Sequence, residues 1–138
     1  MTTEPITFSI VDDDAGLRDS IVRYLTAQGG FICVGQYGRA QDALARLPAE
    51  SPAVVLMDIK MKGMDGIECV RRLKEKMPEI LVIMLTVFDD DDLIFDALMA
   101  GASGYLLKRQ PPESLLEAIR ELLAGGSPMS ATIARKVV

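Results

Sequence analysis

Acidic side chains directly follow two short apolar segments, and this arrangement could support metal-dependent chemistry. Ile10-Val11 runs into Asp12 and Asp13, and the segment VVLM (54–57) runs into Asp58. Apolar segments with no polar face predict strands that are covered on both sides, and the ends of such strands carry the reactive groups of open α/β folds. Clustered carboxylates repel one another unless a cation lies among them, and Mg²⁺ prefers hard oxygen ligands of this kind.

Helix and turn capping offers another interpretation of the same acids. An aspartate after a strand can close the next turn, or its side chain can accept hydrogen bonds at the start of a helix. We expect Asp14 to be such a cap for the helix predicted over 17–28. For Asp12, Asp13 and Asp58 together, the metal interpretation is favoured over capping.

A hydroxyl and an ammonium group are predicted at the ends of two further strands. Thr86 ends ILVIMLT (80–86), and Lys108 follows GYLL (104–107). Alone, Thr86 fits an ordinary strand residue and Lys108 fits a solvated surface residue. Beside clustered acids, however, a hydrogen-bond donor and a point positive charge suit the oxygens of a phosphoryl group. The four strand ends together therefore predict a site for phosphoryl chemistry.

Apolar and amphipathic segments alternate along the chain, and this alternation predicts how the strand ends meet. The predicted strands cover 6–11, 31–37, 54–57, 80–86 and 104–107, and the predicted helices cover 17–28, 41–47, 67–77, 91–102 and 113–124. Glycines and prolines are expected to end these elements at Gly29-Gly30, Pro48, Pro78, Gly101 and Gly125-Gly126. The pattern predicts a (βα)5 α/β fold, a doubly wound five-stranded parallel sheet with a crevice at its carboxyl edge.

Composition narrows the functional class. The chain has 138 residues with 49% hydrophobic content, which is enough for one domain with a core. Its net charge of −5 argues against binding nucleic acid or anionic lipid through this segment. No apolar run approaches the roughly 20 residues of a membrane span, and no signal-peptide pattern begins the sequence, so a cytoplasmic protein is expected.

Two residue types limit the available chemistry further. Histidine is absent, which excludes histidine triads, most zinc sites and an imidazole general base. The two cysteines, Cys33 and Cys69, lie in apolar segments and are expected to be reduced and buried. No G-x-G-x-x-G follows the first strand, which argues against a dinucleotide-binding module.

With these residues assembled, the chain resembles the receiver domain of bacterial two-component response regulators. The matching segments are VDDD, VVLMDIKMKGMDGIE, MLTVF and GYLLK, and the resemblance spans roughly residues 5–124. It implies the flavodoxin-like strand order 2-1-3-4-5. It also implies a receiver domain over residues 1–124.

The resemblance implies which residues would carry the phosphoryl group and the metal. Asp58 would be the phosphoacceptor and would form an aspartyl phosphate. The ligands of Mg²⁺ would be Asp13 and Asp58 directly, Asp12 through water, and the backbone carbonyl of Lys60. Slow self-dephosphorylation aside, the domain is not expected to be an enzyme.

The same resemblance implies the phosphate-binding and switch residues. The Thr86 hydroxyl, the Val87 amide and Lys108 would hold the phosphoryl oxygens. Tyr105 would be the switch aromatic, turning inward as Thr86 moves toward the phosphate. Phosphorylation would then remodel the surface formed by helix 91–102, strand 104–107 and helix 113–124.

Partners and output also follow from the resemblance. The phosphoryl donor would be a phosphohistidine on a sensor histidine kinase, and phosphorylation would favour a homodimer. Residues 125–138 resemble the linker of NarL/FixJ-type regulators, in which Ser130 would cap a new helix with Ile133 and Val137 on one face. This linker would lead to a missing helix-turn-helix domain that binds DNA. No membrane partner is expected.

Two alternatives stay open, and three positions depart from the family pattern. The chain could be a single-domain receiver acting by protein contact, or a Mg²⁺-dependent phosphatase with an aspartyl nucleophile. Such a phosphatase needs a second acid two residues after the nucleophile, where this chain has Lys60. Lys62 and Arg109 stand where many receivers have proline, and a cis bond is frequent before the latter position. Phe88, with Lys60, flanks the site and is expected to affect the lifetime of the phosphoryl group.

Overall fold

The computed structural model describes residues 4–138 and confirms the predicted α/β architecture. The five strands are β1 (Ile6–Val11), β2 (Phe31–Tyr37), β3 (Val54–Met57), β4 (Leu81–Thr86) and β5 (Gly104–Leu107). The helices are α1 (Ala15–Ala27), α2 (Ala40–Glu50), α3 (Gly66–Lys76), α4 (Asp91–Ala100), α5 (Pro112–Leu123) and α6 (Ala131–Val137). The strands form one parallel sheet in the order β2-β1-β3-β4-β5, as predicted. Within the described residues, no helix is both long enough and apolar enough to cross a membrane.

The central strand β3 shows why the sheet is covered on both sides. All four of its residues are fully buried. Because successive side chains of a strand point to opposite faces, Val55 and Met57 pack into one apolar core, and Val54 and Leu56 pack into the other. The first core lies under α2, α3 and α4, and the second lies under α1 and α5. Because all the strand pairs are parallel, every strand directs its carboxyl end to the same edge of the sheet.

The expectation that Pro48 ends the second helix is wrong, because α2 continues to Glu50. A proline inside a helix removes one hydrogen bond to the preceding turn. Here that loss falls close to the end of the helix. The amide of Ser51 donates to the carbonyl of Leu47 at 2.8 Å, and Ser51 ends the helix in the left-handed conformation, with φ of 47°. The last turn stays closed despite the proline.

The chain returns to the sheet after α5. The amide of Tyr105 donates to the carbonyl of Pro128 at 2.9 Å, and the amide of Ser130 donates to the carbonyl of Tyr105 at 3.2 Å. Residues 128–130 therefore pair in parallel with β5 at the edge of the sheet. Ser130 precedes α6 as predicted, but its side chain does not cap that helix. Its hydroxyl instead accepts a hydrogen bond from the Leu107 amide at 3.2 Å.

Candidate functional site

The register of the central strands places two of the acids side by side. Val11 of β1 lies opposite Met57 of β3, so the next residues of both strands, Asp12 and Asp58, leave the sheet together. The Asp58 amide donates to the Val11 carbonyl at 2.9 Å, which extends the ladder to the site. Carboxylate oxygens of Asp12, Asp13 and Asp58 all lie within 4.8 Å of one another.

Lys108 lies among these acids as an internal cation. Its ammonium is 2.7 Å from Asp12 Oδ2 and 3.1 Å from Asp58 Oδ2. Asp12 and Asp58 are buried, whereas Asp13 is exposed. Three carboxylates against one ammonium leave a formal charge of −2, and the oxygens are hard donors. This donor set fits a divalent cation such as Mg²⁺.

The electrostatics of the site raise the pKa of both Lys108 and Asp58. Burial raises the pKa of Asp58, and the Asp12 carboxylate raises it further, while Lys108 and the hydrogen bond from the Ile59 amide at 2.8 Å oppose the shift. For Lys108, burial acts to lower the pKa, but the hydrogen bond to Asp12 and the charges of both acids outweigh it, so its pKa is raised. A further cation among the acids would make ionisation of Asp58 easier.

Strand pairing also brings Thr86 and Lys108 to this edge. Thr86 lies opposite Leu107 at the end of β4, and the Lys108 amide donates to the Thr86 carbonyl at 2.8 Å. The Thr86 side chain is fully buried, and its hydroxyl accepts a long hydrogen bond of 3.4 Å from the Phe88 amide. Val87, which follows the strand, exposes its side chain. The two donors named from the sequence therefore stand at neighbouring strand ends.

Tyr105 points into the protein in this structure. Its side chain is fully buried, and its hydroxyl donates to the Phe88 carbonyl at 2.7 Å. Burial raises the pKa of the phenol, and the charges of Asp90 and Asp89 raise it further, so the hydroxyl stays protonated and remains a donor. Tyr105 thus ties the middle of β5 to the loop that follows Thr86.

The positions that depart from the family pattern lie in the loops around the acids. The Lys60 ammonium is 5.7 Å from the centre of the Phe88 ring, a cation–π contact that joins the loops after β3 and β4. Lys62 is exposed. The described residues contain no cis peptide bond, so the bond between Lys108 and Arg109 is trans.

Two residues that support the site were not identified from the sequence. A Cβ atom at Gly66 would collide with the backbone carbonyl of Asp58, so α3 begins against the backbone of the central acid. Glycine at the first position of the helix, in the segment DGIE, is the sequence signal for such a close approach. The guanidinium of Arg18 donates to the carbonyl of Asp12. No local sequence pattern marks Arg18, because this contact depends on how α1 packs.

The expectation for Asp14 agrees with the geometry. Asp14 is the N-cap of α1, and its Oδ1 accepts a hydrogen bond from the Leu17 amide at 3.1 Å. Its own amide donates to Asp12 Oδ1 at 2.9 Å. Asp14 therefore organises the loop, and its carboxylate is not part of the acid cluster.

Comparison with known proteins identifies the family. Residues 8–120 match the response regulator receiver domain family. The chain is 31% identical over its full length to the uncharacterized transcriptional regulatory protein YxjL of Bacillus subtilis, covering 63% of that protein. It is 37% identical to the response regulator GacA of Pseudomonas aeruginosa, over 93% of this chain and 60% of GacA. The chain thus spans about 60% of the length of these curated relatives.

A solved structure gives the same answer. The crystal structure of a two-component response regulator of the LuxR family from an Aurantimonas species superposes with a TM-score of 0.92 at 28% identity, and the match covers 97% of this chain and 96% of the other. The relatives are response regulators of the LuxR and NarL type, so the resemblance found in the sequence is confirmed. The chain belongs to the response regulator receiver domain family of two-component systems.

Proposed function

We propose that this receiver is a phosphorylation-controlled switch that accepts a phosphoryl group on Asp58. The observation that carries the proposal is the meeting of four strand ends at the edge of the sheet where Asp58 lies. Asp58 lies beside Asp12 and Asp13, and Lys108 already contacts it at 3.1 Å. Acids, a cation and a buried hydroxyl at one edge are what aspartyl phosphate formation requires.

The acid cluster would hold Mg²⁺. Asp13 and Asp58 would bind it directly, Asp12 would act through water, and the backbone carbonyl of Lys60 would complete the protein ligands. When bound, the ion supplies positive charge that offsets the charge of the transferring phosphoryl oxygens. The formal charge of −2 on the cluster with Lys108 supports binding of one divalent ion.

The reaction would use Asp58 as the nucleophile. One carboxylate oxygen forms a bond to phosphorus while the bond from phosphorus to the histidine nitrogen of the kinase breaks, and that nitrogen keeps the electron pair. The ammonium of Lys108, the hydroxyl of Thr86 and the amide of Val87 hold the phosphoryl oxygens. Because Lys108 is fixed by its backbone bond to Thr86, the two donors are positioned together.

The output would be a change in how the domain associates. Phosphorylation adds negative charge at Asp58, and Lys108 and Thr86 would contact the new phosphoryl oxygens. This movement would shift the conformation of the loop at Phe88, which Tyr105 contacts. In the region of α4, β5 and α5, where residues 128–130 cover the edge of β5, the exposed large apolar side chains are Phe95 and Met99 of α4 and Leu123 of α5. Large exposed apolar side chains favour a protein partner. We infer that the partner on this surface is a second copy of the domain.

The phosphoryl donor and the genetic output complete the proposal. The donor would be a sensor histidine kinase, and the protein would act in the cytoplasm. Residues 1–124 would be the receiver, and residues 125–138 would begin the connection to a DNA-binding helix-turn-helix domain, as supported by relatives that are transcriptional regulators. DNA contact would be made only by that further domain.

An enzymatic role is less well supported. Response regulators are typically signalling proteins, and Lys60 occupies the position where an aspartyl phosphatase needs its second acid. Lys60 instead contacts Phe88. Hydrolysis of the phosphoryl group would therefore be slow self-dephosphorylation, which resets the switch.

Mass spectrometry of the intact protein tests the proposal. The chain is incubated with Mg²⁺ and acetyl phosphate, and we expect one phosphoryl group on the wild type and none on Asp58→Asn or in EDTA. Asp14→Asn is the matched control, because Asp14 lies in the same acidic loop but caps α1, and it should be phosphorylated like the wild type. A phosphoryl adduct on Asp58→Asn would contradict the assignment. So would a result in which Asp14→Asn loses the adduct while Asp58→Asn keeps it.

A further inference from the structure

We propose that residues 127–137, here named the docked tail, are coupled to the phosphorylation site through Tyr105. In this proposal, docking of the tail against β5 and α4 favours the inward position of Tyr105, because Met129 and Ile133 of the tail pack in the same apolar core as the Tyr105 side chain. Phosphorylation favours the same position and so strengthens docking. The inference rests on the proposed function, because it requires a phosphoryl group at Asp58. It adds a specific element that reads the state of the site.

The tail docks on β5 through its main chain. Tyr105 both donates to Pro128 and accepts from Ser130, and the Ser130 hydroxyl accepts from the Leu107 amide. Ser130 is buried. A Cβ at Gly104 would lie 2.7 Å from the Pro128 carbonyl oxygen and 2.9 Å from Pro128 Cγ, which is too close for a side chain. Docking in this register therefore depends on glycine at position 104.

The second half of the tail is anchored on α4. Ile133 of α6 is fully buried and belongs to the same apolar core as Ile94 and Ala97 of α4. On the surface, the Lys136 ammonium is 2.7 Å from Asp91 Oδ1, at the start of α4. The tail thus bridges β5 and α4, two of the elements whose surface we expect phosphorylation to remodel.

A short series of contacts connects the tail to Thr86 at the end of β4. The residue that pairs with the tail, Tyr105, also donates its hydroxyl to the Phe88 carbonyl. The Phe88 amide in turn donates to the Thr86 hydroxyl, at a distance of 3.4 Å that leaves this bond weak. Thr86 is the residue proposed to move toward a phosphoryl group. A shift of Thr86 would therefore move the loop at Phe88, to which the Tyr105 hydroxyl donates. The main chain of Tyr105 in turn pairs with the tail.

Coupling of this kind is reciprocal. If a ligand at Asp58 and the docked tail both favour the inward Tyr105, each must strengthen the other by the same factor. Removing the tail from β5 should weaken ligand binding at Asp58, and filling the site should protect the tail amides. Both effects can be measured with beryllofluoride and Mg²⁺ as the phosphoryl mimic.

Gly104→Ala is the variant that displaces the tail, and Gly16→Ala is its matched control. A Cβ at Gly16 would meet only Asp14 Oδ1 at 3.5 Å, an ordinary contact. Ser130→Ala is a milder second variant that removes the acceptor for the Leu107 amide. Hydrogen exchange of the tail and thermal-shift titration with beryllofluoride at constant Mg²⁺ are measured for each protein. Asp58→Asn serves as the protein that should not bind the mimic.

The expected results are specific. In the wild type, the mimic should slow exchange of the tail amides roughly fivefold or more, the lower end of typical coupling between sites. Gly104→Ala should speed tail exchange without the mimic and weaken mimic binding by a similar factor. Ser130→Ala should do both to a smaller extent, and Gly16→Ala should do neither.

Two outcomes would overturn the coupling while leaving the proposed function in place. In one, the mimic binds the wild type but tail exchange does not change. In the other, Gly104→Ala releases the tail but binds the mimic as tightly as Gly16→Ala does. If the mimic fails to bind even the wild type, both the coupling and the proposed phosphorylation site are wrong.

Discussion

Replacing Lys108 by methionine tests whether this residue is the internal cation of an apo acid cluster. The variant keeps an unbranched side chain but leaves Asp12 and Asp58 without the ammonium that lies 2.7 and 3.1 Å away. Lys108 is only 16% exposed, and its partners are 3% and 9% exposed. Removing one partner of a buried ion pair costs about 3–5 kcal/mol. Because some solvent reaches Lys108, we expect about 3 kcal/mol, the lower end of that range.

Urea unfolding at pH 7 in EDTA measures this loss. With a slope of about 2 kcal/mol per molar urea, the midpoint should fall by about 1.5 M. Lys136→Met is the matched control, because Lys136 makes an ion pair of the same 2.7 Å length with Asp91 but in solvent. Its midpoint should stay close to that of the wild type.

Adding Mg²⁺ gives the second half of this test. The ion should stabilise Lys108→Met more than the wild type, because the ammonium no longer competes for the carboxylates. Stabilisation by a bound ligand reaches about 2.7 kcal/mol at a hundred times its dissociation constant. The reasoning is refuted if Lys108→Met loses no more stability than Lys136→Met, or if Mg²⁺ stabilises it less than it stabilises the wild type.

Three further predictions concern single side chains. Burial and a neighbouring carboxylate raise the pKa of Asp58, so the folded chain binds a proton at Asp58 more tightly than the unfolded chain does. In EDTA at pH 7, Asp58→Asn should therefore be more stable than the wild type. Urea unfolding at several pH values should show this difference shrinking as the pH falls through the raised pKa toward the ordinary value of 3.8. Tyr105→Phe removes the hydroxyl that donates to Phe88 and should lower the free energy of unfolding by about 1 kcal/mol, and an unchanged urea midpoint would contradict this. Burial raises the pKa of Cys69 to about 12, so iodoacetamide at pH 8 should alkylate Cys69 only after unfolding. Burial also raises the pKa of Cys33, but Cys33 is only half-buried and should react faster than Cys69 in the native chain. Equal native alkylation rates of the two cysteines, measured by peptide mass analysis, would refute this difference.

The strands and the acidic edge could be predicted because local sequence determines them. Val54–Met57 is a short run with no polar face, which is typical of a strand covered on both sides, and Asp58 follows it directly. Parallel pairing then forces Asp58 to the same edge as Asp12. The fate of Pro48 was misjudged because a single lost hydrogen bond near the end of α2 is tolerated when Ser51 closes the turn.

Contacts between distant segments could not be predicted in the same way. The pairing of Tyr105 with residues 128–130 depends on where α5 ends and on the space left at Gly104, and neither appears as a local pattern. Arg18 lies only six residues after Asp12, yet no residue pattern announces that its side chain turns back to the Asp12 carbonyl. The inward position of Tyr105 likewise depends on the loop at Phe88. The reactive side chains of the site lie at strand ends and could be found in the sequence, whereas the contacts that position them depend on tertiary packing.

The short segment that pairs with β5 also covers an edge of the sheet that would otherwise be open to other chains. An uncovered edge strand presents unpaired amides and carbonyls to any other chain, and this is a common route to uncontrolled self-association. Here the main chain of residues 128–130 forms hydrogen bonds with the amide and the carbonyl of Tyr105, and the Ser130 hydroxyl accepts a hydrogen bond from the Leu107 amide. A recombinant chain ended at Leu123 would lose that protection and could form oligomers through β5 that have nothing to do with signalling. Studies of association in this receiver should therefore keep residues through Val137.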